Sequence, residues 1–181
     1  MTNTIKAFDY PEMYEALGID TSDMGCVMFN TEPIVISNVI DERDYFYSEE
    51  QEYVKGNVSE SVPHVTLLYG LLNNPKVIEK HVNTVLGEWD IESLTIDEVS
   101  FFYGKDTEYI TIIALVDVTD KLLEGHQRLS LLPHINTFGE YNPHITLAYV
   151  KLSAPWSEYV TKLNSLYKGT VIKTTDLNLG D

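Results

Sequence analysis

Apolar and polar residues alternate along several stretches of this chain and recur at helical spacing along others. The alternation predicts strands at 25–30, 34–40, 62–69, 96–102, 109–118, 144–152 and 170–175. The helical spacing, with Asn, Asp, Pro and Gly at suitable ends, predicts helices at 9–18, at 74–87, from 119 onward and at 155–167. The acidic stretch 41–52 is predicted to be a loop or a short helix.

One octapeptide occurs twice, 80 residues apart: Pro-His-Val-Thr-Leu-Leu-Tyr-Gly at 63–70 and Pro-His-Ile-Thr-Leu-Ala-Tyr-Val at 143–150. Five of its eight positions are identical. Each copy precedes a predicted helix and then a predicted strand, so the repeated unit is β–α–β. We therefore predict one α+β domain over residues 1–181, made of two half-domains about an approximate dyad, with an N-terminal extension over about 1–57.

Each copy places a histidine and a threonine on one face of a strand. Alternate side chains share a face, so His64 projects with Thr66, and His144 projects with Thr146. An imidazole moves protons near pH 7, and a hydroxyl can donate a hydrogen bond to an oxygen. Two such strands facing each other predict an acid–base pair around a phosphate, and this chemistry requires no metal or other cofactor.

Other chemistries have less support in the sequence. A zinc site normally takes three protein ligands, and neither motif contains an Asp, Glu or Cys. The chain has no Gly-x-Ser-x-Gly elbow and no Gly-rich phosphate loop. His81 and His126 are interpreted as residues at the edge of the core. His134 repeats the start of the motif, but Asn136 stands where the threonine belongs.

Composition and charge restrict the partners. The chain is 44% hydrophobic and has a formal net charge of −16, and its 12 Lys and Arg residues are scattered. Proteins that bind a long nucleic acid usually carry a basic stripe, so a small anion is the better-fitting substrate. With Cys26 as the only cysteine and no apolar run of ~20 residues, we predict a cytoplasmic protein that does not bind a membrane.

Aromatic side chains can hold a nucleobase by stacking, although core packing is the alternative for each of them. Four candidates lie in the N-terminal segment or flank the second motif: Tyr10, Tyr14, Tyr141 and Trp156. Glu140 can orient a base or an imidazole, or it is simply a solvated loop residue. Tyr69 and Tyr149 alternate out of phase with the motif histidines, which predicts that they lie on the opposite face.

The paired His-x-Thr motifs resemble those of the 2H phosphoesterase superfamily, and the order of elements agrees over about residues 62–175. The resemblance implies a bilobal α+β fold whose largely antiparallel sheets line a central cleft. It also implies that His64, Thr66, His144 and Thr146 form the catalytic tetrad. Familiar members hydrolyse 2′,3′-cyclic phosphates or 2′–5′ RNA linkages without a metal.

Within the superfamily, the chain is most similar to the small acidic phage enzymes that degrade the cyclic oligonucleotide signals of bacterial defence, the anti-CBASS nucleases. This likeness implies cleavage of 3′–5′ linkages in cyclic di- and trinucleotides such as cGAMP, with Tyr10 stacking on a base. Two alternatives remain open. One is an RNA-processing 2H enzyme acting on 2′,3′-cyclic phosphate ends or 2′–5′ bonds, and the other is a non-catalytic protein that sequesters a cyclic nucleotide.

Overall fold

The structure is a computed structural model that describes residues 24–46, 62–104, 107–136 and 139–180. Its strands are β1 (Gly25–Thr31), β2 (His64–Leu71), β3 (Ser93–Tyr103), β4 (Tyr109–Val116), β5 (His144–Lys151) and β6 (Val171–Gly180). Its α-helices are α1 (Glu79–Leu86), α2 (Asp120–Leu129) and α3 (Trp156–Tyr167). The predicted α+β class is confirmed, while the helix predicted at 9–18 lies outside the described residues.

The strands form one antiparallel sheet in the order β2-β1-β6-β3-β4-β5. The start of β3 pairs with the start of β6, with Leu94 opposite Ile172. The rest of β3 pairs with β4, and the rest of β6 pairs with β1. Each β–α–β unit therefore contributes its last strand to the half of the sheet that contains the other motif. The strand order reads the same from both ends when β2 is matched with β5.

The core is one continuous cluster of apolar side chains between the sheet and its helices. Leu67, Ile112 and Leu147 are at most 1% exposed, and burial of one such side chain contributes about 1.5–3 kcal/mol. Helix α2 packs against β2 and α1, and α3 packs against β3. In the described ranges, no helix is long and apolar enough to cross a membrane.

The strand predicted at 34–40 is wrong. This stretch is irregular and ends in a turn, in which the amides of Val39 and Ile40 donate to the carbonyl of Ile36 at 2.9 and 3.0 Å. Ile34 and Ile36 are 4% and 3% exposed. Their alternating pattern therefore comes from apolar side chains that anchor a loop in the core. A 3₁₀ helix at Glu42–Asp44 follows, as the acidic stretch allowed.

Other predicted bounds need smaller corrections. The helix expected from 74 begins at Glu79, because Asn74 and Pro75 form a turn in which the Asn74 side chain accepts from the amide of Lys76 at 2.9 Å. The last strand runs on to Gly180, since its second part pairs with β1. Strand β1 itself lies within the predicted N-terminal extension, yet it is an inner strand of the sheet.

Candidate active site

The two motif strands stand at opposite ends of the strand order but contact each other. The sheet therefore curls until β2 and β5 approach, as strongly twisted sheets do. The histidines that begin these strands are close enough for the charge of His64 to lower the pKa of His144. The fold therefore brings the two motif histidines within electrostatic range of each other, and their catalytic pairing stays a prediction.

Both motif histidines are oriented by the same local contact. The Nδ1 atom of His64 lies 3.2 Å from the carbonyl oxygen of Val62, and that of His144 lies 2.9 Å from the carbonyl oxygen of Asn142. A carbonyl can only accept, so Nδ1–H is the donor and Nε2 carries the lone pair in the neutral ring. Each ring therefore leaves Nε2 as the nitrogen that is available to accept or donate a proton.

This orientation comes from the Pro-His dipeptide at the start of an extended segment. His134, which also follows a proline, makes the same contact with the carbonyl of Leu132 at 2.9 Å. It forms an isolated β-bridge with Leu71 at the far end of β2. The residue two positions later is Asn136 and not a threonine. Local geometry alone therefore does not define the site, and the threonine distinguishes the two copies of the motif from His134.

A β-bulge follows the threonine in both motif strands. Met28 pairs with Thr66 while Val27 pairs with Leu68, so Leu67 is an extra residue in β2. The register of β5 against β4 shifts in the same way, which makes Leu147 the extra residue. Both leucines are buried. The duplication thus extends from the sequence to an irregularity of the backbone, and bulges often aim side chains next to functional sites.

The bulge overturns the prediction for the two motif tyrosines. An extra residue reverses the alternation, so Tyr69 and Tyr149 return to the accessible side that His64 and His144 occupy. The burial pattern agrees, because the positions on either side of each tyrosine are buried while the tyrosines themselves are not. Tyr149 also meets Tyr109 edge to face, with ring centroids 5.3 Å apart.

The two histidines differ in their surroundings. His64 is exposed, whereas His144 is half-buried and the ring of Phe102 meets it edge to face at 5.0 Å and 86°. Burial lowers the pKa of His144, the hydrogen bond to Asn142 opposes this, and the charge of His64 lowers it further. A lowered pKa keeps the His144 ring neutral to a lower pH than an ordinary histidine, which suits a general base.

Both threonines are half-buried on the histidine side of their strands. The thiol of Cys26, on the neighbouring strand β1, lies 3.8 Å from the Thr66 hydroxyl oxygen. Burial raises the pKa of Cys26, so the thiol stays protonated and can donate to Thr66. The Thr66 hydroxyl can therefore accept from Cys26 and keep its own hydrogen for another acceptor.

The predicted substrate-binding residues separate into different places. Tyr10 lies outside the described residues, and Glu140 is an exposed loop residue. Trp156 packs on Phe101 with ring centroids 4.7 Å apart. Phe101 and Phe102 are consecutive residues of β3 and point to opposite faces, so Trp156 lies on the face away from His144. We leave Trp156 out of the site for this reason.

Tyr141 is near the site but is not free to stack on a base. Its hydroxyl donates to the carbonyl of Thr66 at 3.0 Å, and its ring lies flat against His126. The aromatic residue that the sequence analysis missed is Phe102, which is 46% exposed. Its contact with His144 depends on pairing across β3, β4 and β5, and no local pattern reports such pairing.

A sheet that brings two His-x-Thr strands together, each with Nε2 available, defines a two-histidine phosphoesterase. Residues 34–176 match the 2′-5′ RNA ligase superfamily, and this range includes both motifs. The chain belongs to this family, which is part of the 2H phosphoesterases. Membership implies phosphodiester chemistry in general. A search of curated proteins finds no match. In the described part of the chain, no group of three or more His, Cys, Asp or Glu side chains is placed to hold a metal ion.

Proposed function

We propose that this protein is a phosphodiesterase that opens cyclic oligonucleotide second messengers at their 3′–5′ linkages. The observation that carries the proposal is the approach of His64 and His144, each with Nδ1 engaged by a carbonyl and Nε2 available. One neutral and one protonated imidazole on opposite sides of phosphorus provide both proton transfers of an internal displacement. Thr66 and Thr146 donate to the non-bridging oxygens.

The first step needs a base on the attacking hydroxyl. Neutral His144 takes the proton of a ribose 2′-hydroxyl, and the O2′–phosphorus bond forms. The bond from phosphorus to the 5′ oxygen breaks, and protonated His64 gives its proton to that oxygen. The product is a linear nucleotide that ends in a 2′,3′-cyclic phosphate. In the second step the roles reverse, and water opens that ring to a 3′-phosphate.

The charges of the chain support a small substrate. Arginine is the residue best suited to grip a phosphate backbone, and the chain has only two. Arg43 is paired with Asp41 at 2.7 Å, and Arg128 is paired with Glu124 at 2.7 Å. The neighbouring carboxylate offsets the charge of each arginine toward a long RNA, whereas a cyclic di- or trinucleotide needs only the site between the motif strands.

The proposal includes how the substrate is enclosed. The two halves of the sheet act as lobes about an approximate dyad, with the phosphate between β2 and β5. Phe102 and Tyr149 offer ring faces to the bases, where stacking contributes about 1–3 kcal/mol per base. Tyr10 remains a proposed third platform. In a phage, such an enzyme would destroy the signal on which the host defence depends, and we propose this counter-defence role.

A substrate panel tests the proposal. Purified protein is incubated in EDTA with cyclic di- and trinucleotides, with 2′,3′-cyclic mononucleotides and with 2′–5′-linked RNA. We expect linear 3′-phosphate products from the cyclic oligonucleotides, preceded by 2′,3′-cyclic phosphate ends. Cleavage of only the 2′,3′-cyclic mononucleotides or of the 2′–5′ bonds would instead indicate an RNA-processing enzyme. Tight binding of a cyclic nucleotide without any cleavage would instead indicate sequestration.

A further inference from the structure

Two aromatic side chains from outside the sheet lie against β2 at its bulge. The hydroxyl of Tyr141 donates to the carbonyl of Thr66 at 3.0 Å, and Nδ1 of His126 lies 2.6 Å from the carbonyl oxygen of Leu67. The two rings stack, with centroids 4.1 Å apart and planes at 12°. Successive carbonyls at the bulge are therefore held by a single stacked pair.

This pair links the two copies of the motif. Tyr141 is three residues before His144, and its neighbour Asn142 supplies the carbonyl that orients the His144 ring. The same short segment thus fixes His144 through Asn142 and holds Thr66 through Tyr141. His126, on α2, stacks against the Tyr141 ring and keeps it in place.

We propose that Tyr141, held by His126, is a positioning residue that keeps Thr66 aligned with His144 across the site. This inference rests on the proposed function, because alignment matters only if the four motif side chains act on one phosphate. Tyr141 is also suited to a permanent donor role. Burial raises its pKa well above the ordinary range, so the hydroxyl keeps its proton at any pH at which the enzyme works.

The bulge explains why this strand needs such support. An extra residue interrupts the ladder between β1 and β2, and β2 is also an edge strand. Without the Tyr141 hydroxyl, the Thr66 carbonyl loses its side-chain donor. The Thr66 hydroxyl, which is proposed to contact the phosphate, belongs to the same residue and would shift with it. Misplacement of a reacting group by 1 Å can cost on the order of 10²-fold in rate, so a partial shift should cost about tenfold.

Tyr141→Phe tests the inference, with Tyr167→Phe as its matched control. Tyr167 also donates its hydroxyl to a backbone carbonyl, that of Val35, but it lies on α3, the helix that packs on β3. We expect Tyr141→Phe to lower kcat about tenfold with little change in KM, and Tyr167→Phe to leave kcat unchanged. An unchanged kcat in Tyr141→Phe, or an equal loss in Tyr167→Phe, overturns the inference.

A double-mutant cycle separates positioning from general stability. In a Thr66→Ala background, Tyr141→Phe should cost almost nothing further in kcat, because the hydroxyl that it aligns is gone. The Thr66 carbonyl remains, so the loss of stability should persist in both backgrounds. If the kcat losses of the two changes simply multiply, Tyr141 does not act through Thr66 and the inference fails.

Hydrogen exchange gives a readout that does not depend on turnover. We expect amides of the Val65–Leu68 segment to exchange about fivefold faster in Tyr141→Phe than in wild type, and not in Tyr167→Phe. Absence of activity in the wild-type protein on every substrate would end the proposed function alone. Unchanged exchange in this segment would end the positioning inference, whatever the activity.

Discussion

Phe102 meets His144 edge to face, with ring centroids 5.0 Å apart, and so shields one histidine of the pair from water. His64 is exposed, and among the described residues no ring contact covers it as Phe102 covers His144. The two halves of the site therefore share their motifs but not their surroundings. This difference supports the proposal that His144 is the base and His64 the acid in the opening step.

Removal of the Phe102 ring should shift the acidic limb of the pH–rate profile to higher pH. Burial is the main cause of the lowered pKa of His144, so its pKa should rise in Phe102→Ala. A base with a higher pKa is protonated, and lost, at a higher pH. Phe101→Ala is the control, because that ring packs on Trp156 across the sheet. If the acidic limb of the pH–rate profile does not shift in Phe102→Ala, His144 is not the general base.

Loss of either motif threonine should lower kcat without unfolding the protein. Thr66→Val and Thr146→Val keep the shape of the side chain but remove its hydrogen-bond donor. One such donor to a developing oxyanion contributes about 10²-fold or more in kcat. Thr95→Val is the control, because Thr95 is a half-buried strand threonine on β3. Similar kcat values in all three variants would contradict the role given to the motif hydroxyls.

Gly70→Ala should destabilise the fold by about 2 kcal/mol or more. Gly70 has φ = 97°, and a Cβ there would overlap the carbonyl oxygen of Ile135. Gly169→Ala separates the two causes, because Gly169 has φ = 79° but open space around it, so only about 1 kcal/mol is expected. Urea unfolding of the two variants measures the difference. Equal losses would show that the crowding by Ile135 is unimportant.

Acidification should weaken the wild-type fold through His144. The pKa of His144 is lowered in the folded state, so the unfolded chain takes up a proton first as the pH falls below about 6.5. The free energy of unfolding contributed by this group is therefore complete above that pH and declines below it. His144→Gln should be less sensitive to acidification than wild type between pH 7.5 and 5, while exposed His81→Gln should match wild type. If the free energy of unfolding declined more steeply in His144→Gln than in wild type, this prediction would be contradicted.

Much of the site follows from local sequence. The Pro-His dipeptides orient His64 and His144 through contacts with residues two positions earlier, so an octapeptide is enough to predict them. The helices were also largely predictable, since capping and apolar spacing are local. Thr119, for example, caps α2 by accepting from the amide of Leu122 at 3.2 Å.

The remainder depends on pairings between distant residues. The bulges at Leu67 and Leu147 exist only in the register against β1 and β4, and so the facing of Tyr69 and Tyr149 was predicted wrongly. The contact between Phe102 and His144 joins β3 to β5 across the strand that pairs with both, β4. The position of Tyr141 in the sequence predicted a stacking residue. Only the fold shows that its hydroxyl donates to the Thr66 carbonyl.

The central claim is that two histidines carry out acid–base chemistry on one phosphodiester, and single-turnover cleavage tests it most directly. Wild type, His64→Ala, His144→Ala and the exposed-site control His81→Ala are mixed in excess over a cyclic dinucleotide in EDTA. Each proton-transfer group contributes about 10²–10⁴-fold. We predict at least about a 10²-fold loss in both motif variants, full activity in His81→Ala and a bell-shaped pH dependence for wild type. Wild-type rates in either motif variant, with its fold intact, would contradict the two-histidine mechanism.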